Sequence, residues 1–410
     1  MNYPVLFYII IGILLLQFAV ETILDVLNAG KFKDPIPEEL EDIFDENEYR
    51  KSQDYKRVNF KFGLISGVFS LLFTLGFLIF GGFDWVDSLA RTVTEHPIGV
   101  ALLFFGIIFL GSDLVSTPFT YYQTFVIEEK FGFNKTTRKL FLTDKLKGWL
   151  MSIILGGGML SVVILFFMWA GADFWIYAWI LIAVFSLFIN LFYSRLIVPL
   201  FNKQTPLPEG SLRDKIETYA RKVGFELKSI FVIDGSKRST KANAYFSGFG
   251  REKRVTLYDT LIQDLEEDEI VAVLAHEVGH YKRHHILYNL TSSILLTGLT
   301  LFILSLFINN PQVSGAIGVQ IPSFHAALIG FGLLYSPISE ITGLLMNALS
   351  RKFEFQADNY ARETFAPLPL INSLKKLSKK SLSNLTPHTA YVFVHYSHPP
   401  LKDRIQNLRA

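Results

Sequence analysis

A chain of 410 residues could hold two soluble domains, but half of its residues are hydrophobic, 38 are Phe and only 19% are charged. That balance excludes an ordinary water-soluble enzyme and points to a polytopic membrane protein. A formal net charge of +2 and no basic stripe interleaved with aromatics exclude a nucleic-acid partner. The absence of cysteine removes disulfides and thiolate metal sites, so any metal must be held by His and carboxylates.

Seven apolar windows are long enough for a hydrocarbon core of about 30 Å, which takes roughly 20 helical residues. They are residues 5–27, 64–83, 98–119, 149–170, 174–199, 287–308 and 326–345. The first lacks a basic n-region and a cleavage site and is too long for a leader, so it reads as a permanent helix. Asp113 interrupts the third and Glu340 the seventh. Such acids lie near an interface, pair with a neighbouring helix or face an internal aqueous space, since exposure to lipid is costly. Lys and Arg crowd the connections between windows one and two and between three and four, while the alternate connections carry a single Arg91. By the positive-inside rule these loops, the segment after window five and the C-terminus are cytoplasmic. The Asn-X-Thr triplets at Asn134, Asn289 and Asn384 then fall in cytoplasmic or membrane segments and read as chance matches.

The first loop, KFKDPIPEELEDIFDENEYRKSQDYKR, reads as a solvated, mostly helical connector. At NKQTPLPEG the character changes: Pro206 and Pro208 break the exit from the fifth helix, and residues 211–223 have amphipathic helical spacing. SIFVIDG, ANAYFSGFG and KRVTLYDTLI read as short strands. DLEEDEIVAVLAHEVGHYKRHH opens with acids, as a helix N-terminus prefers, and ALSRKFEFQADNYARETF is helical again. The chain therefore divides into an N-terminal membrane region, 1–204, and a second unit, 205–410, that includes windows six and seven.

His276, Glu277 and His280 form H-E-x-x-H. Residues four apart share a helix face, so the two imidazoles can meet one zinc ion, with Glu277 placed as general base for a zinc-bound water. A hydrolytic zinc takes three protein ligands and keeps one position open. The third is best sought in EFQAD, where Glu354 and Asp358 are again four apart; one binds the metal and the other orients a ligand histidine, and the longer arm suits Glu354 as ligand. His284 and His285 read as polar residues at the membrane interface. His398, stiffened by Pro399 and Pro400, suits an oxyanion donor, and Arg404 suits a partner for a site carboxylate.

HEVGH, EFQAD, ANAYFSGFG and SHPPLKDRI, in that arrangement with two membrane helices between the first pair, resemble the type I CAAX prenyl protease family of integral-membrane zinc metalloproteases. The resemblance spans essentially the whole chain. It implies a mainly α, seven-helix barrel around a water-filled chamber, with a zincin-like cytoplasmic peptidase unit containing a small β-sheet. It also implies one zinc per chain on His276, His280 and Glu354, Glu277 as base, Asp358 behind a ligand, His398 and Arg404 supporting the transition state and the site, and Asn243 holding the substrate backbone. The partners expected are membrane lipids and a peptide or protein cut near its C-terminus, prenylated or not. The tail NLRA, without a dilysine signal, and the lack of cysteine favour a bacterial plasma membrane over an endoplasmic reticulum. The rival readings are a membrane quality-control protease and a metal-binding transporter in which Asp113 and Glu340 line a path.

Overall fold

The computed structural model describes residues 3–42, 45–247 and 254–410. The apolar runs become α1 (Tyr3–Gly30), α2 (Glu46–Ile79), α4 (Pro97–Tyr122), α6 (Gly157–Ala170) and α7 (Phe174–Leu196), with an amphipathic α3 (Gly82–Val93) and a polar α5 (Arg138–Met151) between them. Two π-helical turns, Gln123–Glu128 and Ser152–Gly156, prolong α4 and join α5 to α6. After the short α8 (Val198–Phe201) come α9 (Ser211–Lys222), α10 (Asp259–Asp264) and α11 (Glu267–Lys282). Then α12 (His285–Phe307), α13 (Pro311–Gly315) and α14 (Phe324–Thr364) follow, and α15 (Pro367–Lys380), α16 (Thr389–His395) and α17 (Leu401–Arg409) close the chain.

Among the described residues, six segments are long and apolar enough to cross a membrane. The fourth, Arg138–Leu196, spans 59 residues and takes in the fourth window and most of the fifth, on either side of a turn where Gly171 takes a left-handed φ of 58°. The seven windows are compatible with this arrangement. Large apolar side chains stand open along these helices, Leu72 and Val184 being 63% and 59% exposed. Lipid is the solvent such faces require, because helices satisfy their own backbone while their side chains meet hydrocarbon.

The polar insertion between α7 and α12 carries a four-stranded sheet, β1 (Gln204–Pro206), β2 (Ser229–Ile233), β3 (Ala244–Ser247) and β4 (Arg254–Tyr258), in the order β1-β2-β4-β3. β2 and β4 are parallel, and the outer pairs are antiparallel. β1 is absent from the sequence reading, which took Pro206 as a breaker. Proline is tolerated there because β1 is an edge strand. β3 is the opposite edge, with β4 its one strand partner among the described residues.

Behind the sheet, Ile216, Leu257, Leu261, Ile270, Leu274, Leu370 and Ile405 bring α9, β4, α10, α11, α15 and α17 into one buried core. The connector after α1 belongs to it too. Leu40 is fully buried in this core, Phe32 is buried, and Lys375 reaches Asp42 at 2.6 Å, so the connector, in part helical and solvated over most of its length, is pinned at these points. Windows seven and EFQAD lie on one helix: α14 runs unbroken for 41 residues from the apolar layer into the polar half.

Candidate active site

The site is made where α11 crosses α14. α11 starts at a reciprocal capping box between Glu266 and Glu269, followed by three acids in its first turn, both favourable to the partial positive charge of a helix N-terminus. Its apolar residues Ile270, Val271, Leu274 and Val278 are buried, which fixes its rotation and turns His276 and His280 toward α14. The crossing is close because Gly279 has no side chain. A Cβ there would stand 3.0 Å from the Ala357 Cα and 3.1 Å from its carbonyl oxygen.

On this crossing His276 Nε2 lies 3.1 Å from His280 Nε2 and 3.4 Å from Glu354 Oε2, and His280 Nε2 lies 3.2 Å from Glu354 Oε1. It is the single group of three metal-binding side chains among the described residues, with all donor atoms within 4.8 Å of one another. Two ligands at tetrahedral angle on zinc would be separated by about 3.3 Å, so the observed spacings match that donor set. Glu354 Oε2 is buried and makes no hydrogen bond, with Arg404 Nη1 in looser ionic contact at 3.5 Å. A buried oxygen left this way is one that a cation satisfies.

The surrounding residues fix which nitrogens carry protons. Asp358 Oδ1 lies 2.9 Å from His276 Nδ1; a carboxylate accepts, so the proton sits on Nδ1 and the Nε2 lone pair faces the trio. Arg404 grips the same carboxylate from behind with Nε and Nη2 at 2.9 and 2.6 Å, both side chains buried. Burial pulls the His276 imidazole down, but hydrogen bonds to Asp358 and Glu354 prevail and push it up to about 9.

His280 has a counterpart arrangement that the sequence reading missed. His285, 1% exposed at the start of α12, places its Nδ1 3.0 Å from His280 Nδ1 and its Nε2 2.8 Å from Gln356 Oε1, with its ring stacked on Phe353. The Gln356 oxygen accepts, so Nε2–H of His285 donates to it, His285 Nδ1 accepts, and Nδ1–H of His280 donates. His280 Nε2 is thereby left free to bind a metal. His285 is therefore not an interface residue; only the exposed His284, at a left-handed φ of 61° between α11 and α12, fits that expectation.

A cleft of about 530 Å³ opens over these groups, and Glu277, Asn243, His398 and Arg404 line it. Half-buried Glu277 lies one position round α11 from His276. His398 Nε2 stands 3.4 Å from Glu354 Oε1, and the ring is 64% exposed to the cleft. Asn243 leads into edge strand β3, and its Oδ1 accepts from the Ala244 N–H at 2.8 Å. All eight residues singled out from the sequence are thus brought to one place. Asp113 and Glu340 lie elsewhere: Asp113 accepts from Lys145 at 3.0 Å and Trp149 Nε1 at 2.8 Å, and Glu340 accepts from Gln17 at 2.7 Å.

Comparison with known proteins bears on this geometry. Residues 206–410 match the model of peptidase family M48, and residues 25–203 match one described as CAAX prenyl protease N-terminal, five membrane helices. The CAAX prenyl protease 1 homolog of Arabidopsis thaliana is 36% identical over 406 residues, 97% of this chain and 96% of that protein. CAAX prenyl protease 1 of Saccharomyces cerevisiae is 34% identical over 427 residues, 98% and 94% of the two chains. The crystal structure of S. mikatae Ste24p superposes with a TM-score of 0.93 at 34% identity, covering 99% of each chain.

Proposed function

The chain belongs to peptidase family M48, with the five-helix N-terminal region of the CAAX prenyl proteases, and on that footing we propose that His276, His280 and Glu354 hold one zinc ion per chain and that Glu277 is the general base of peptide-bond hydrolysis. It is a zinc-dependent membrane metallopeptidase. The observation that carries the residue assignment is the trio of donors at 3.1 to 3.4 Å, with one carboxylate oxygen unsatisfied, beside Glu277 in the cleft.

Zinc in this position supplies Lewis acidity, lowering the pKa of water and polarising the scissile carbonyl. The protein's own groups do the rest. Glu277 takes a proton from the attacking water and returns it to the departing amine. The exposed His398 donates from Nε2 toward the oxygen that gains charge. Asp358, held by the Arg404 fork, keeps the His276 lone pair on the metal side, and Gln356 does the same for His280 through His285. The substrate lies as an added strand along β3, held by Asn243.

We further read residues 1–204 as the unit that builds a water-filled space around the site, and 205–410 as the unit that cuts. The basic loops support a cytoplasmic position for the cleft. The relatives named above are eukaryotic and lend nothing to a bacterial plasma membrane. The transporter reading is disfavoured, because Asp113 is already engaged by Lys145 and Trp149.

The relatives' names suggest a C-terminal prenylated segment as substrate. The purified chain should cut a farnesylated CAAX-type peptide faster than its unlipidated twin and leave a destabilised membrane protein intact. Equal rates on both peptides would remove lipid from the recognition. Cleavage of the membrane protein alone would favour the quality-control reading.

A further inference from the structure

Away from the cleft, a concavity at the membrane boundary plays no part in hydrolysis. It lies where α2 leaves its apolar stretch, holds about 390 Å³, and is lined by Arg50, Lys51, Arg57, Lys61 and Lys130, with Asp54 as the one acid. At 100° per residue, positions 50, 51, 54, 57 and 61 occupy one face of α2. The same face continues as Ile65, Val68 and Leu72, exposed by 63%, 40% and 63%. The opposite face, with Gly63, Ser66, Gly67, Ser70 and Thr74, lines a separate cavity shared with α4. The basic concavity is therefore turned away from that cavity, in line with exposed apolar side chains of the kind that lipid covers.

Depth agrees with direction. Lys61 precedes Leu64, where the apolar window begins, by about 4.5 Å along the helix axis, and Arg57 by about 10 Å. A headgroup layer is roughly 5–8 Å thick in each leaflet. Arg50 and Arg57 pair with Glu46 and Asp54, each at 3.0 Å. Lys51, Lys61 and Lys130 have no carboxylate partner among the described residues, and Lys130 is carried by Phe131, whose buried ring packs edge-on against Tyr55. A topological excess of basic residues has no need to gather on one helix face and to recruit a further lysine from the loop after α4.

We propose that this concavity binds the phosphate of an anionic phospholipid headgroup, with Lys61 and Lys130 as its principal contacts and Lys51 and Arg57 around them. Such clusters beside a membrane helix attract anionic headgroups. The full-length protein in mixed micelles tests this directly, by binding of a fluorescent-tailed phosphatidylglycerol against the matching phosphatidylcholine, with inorganic phosphate as competitor. Lys51→Ala/Lys61→Ala/Lys130→Ala should weaken phosphatidylglycerol binding about tenfold or more, to the phosphatidylcholine level. The same number of charges removed beside other membrane helices, Lys33→Ala/Arg138→Ala/Lys139→Ala, should change it less than about twofold. Lys61→Glu alone gives the same reading should the triple variant fold poorly. Equal loss in the control, no preference for phosphatidylglycerol, or full displacement by millimolar inorganic phosphate would overturn the proposal, the last by assigning the site to free phosphate.

Discussion

Two histidines on α11 are oriented by one stretch of α14, and by different chemistry. His276 faces a carboxylate that Arg404 locks in place, whereas His280 faces a neutral imidazole anchored on an amide. Glu354, the proposed third ligand, thus shares one stretch of α14 with the two supports, Gln356 and Asp358. His285→Phe keeps a ring for the stack on Phe353 but deletes the acceptor for His280 Nδ1–H. Zinc affinity, read by competition with a chelator, is expected to fall about 10- to 100-fold while the melting temperature of the metal-free chain changes little. Unchanged affinity would mean that His285 only fills space. The H-E-x-x-H pattern and the Glu354/Asp358 pair were legible because four-residue spacing has a direct meaning on a helix. His285 was not: adjacent histidines have no such signature, and its role depends on the turn at His284 that swings α12 back over the site.

At the scale of elements, the position between the two histidines matters as much as the histidines. Gly279 lets α11 approach the α14 backbone, and the added methyl of Gly279→Ala would meet the Ala357 Cα, its carbonyl oxygen and the Tyr360 Cβ at 3.0 to 3.1 Å. Two backbones cannot yield as a flexible side chain can. The variant is expected to lose about 1–3 kcal/mol of stability and to hold zinc less tightly, because the shift separates the two histidines from Glu354. Denaturant titration with zinc analysis checks this; wild-type values on both counts would show that the crossing has slack. Hydropathy located the membrane helices because their faces must suit lipid, and alternation located β2, β3 and β4. It missed β1, whose three residues carry no pattern of their own and form a strand only because β2 offers an edge. It also missed the anchoring of the connector after α1 at Leu40, an isolated apolar residue in a polar stretch whose burial is decided by a core that starts at Leu207, more than 160 residues further on.

Across the whole molecule, the membrane region reaches the cleft through the strand edge. Lys135 and Thr240 exchange backbone hydrogen bonds with Arg238 and Phe133 at 3.0 and 3.1 Å, and Arg238 forks onto Asp144 at 2.8 and 3.0 Å. Lys241 binds Glu128, on the π-helical turn that ends α4, at 2.9 Å, two residues before Asn243. The turn therefore holds the approach to β3, the edge proposed to bind substrate. Glu128→Gln removes the charge and keeps the shape, and is expected to raise KM about fivefold, corresponding to roughly 1 kcal/mol, with kcat nearly unchanged. A fall in kcat at constant KM would place the effect in the chemical step instead. None of these ties could be read from the sequence, because each joins residues about 100 apart whose types alone suit any solvated loop.

The most direct test of the account is zinc content together with endopeptidase activity on a farnesylated CAAX-type peptide, for wild type and Glu277→Gln purified in detergent. The account predicts about one zinc per chain in both and hydrolysis that is slower in the variant by a factor on the order of 10² to 10⁴. A variant that cuts at the wild-type rate, or a wild type that cuts without bound metal, would contradict it.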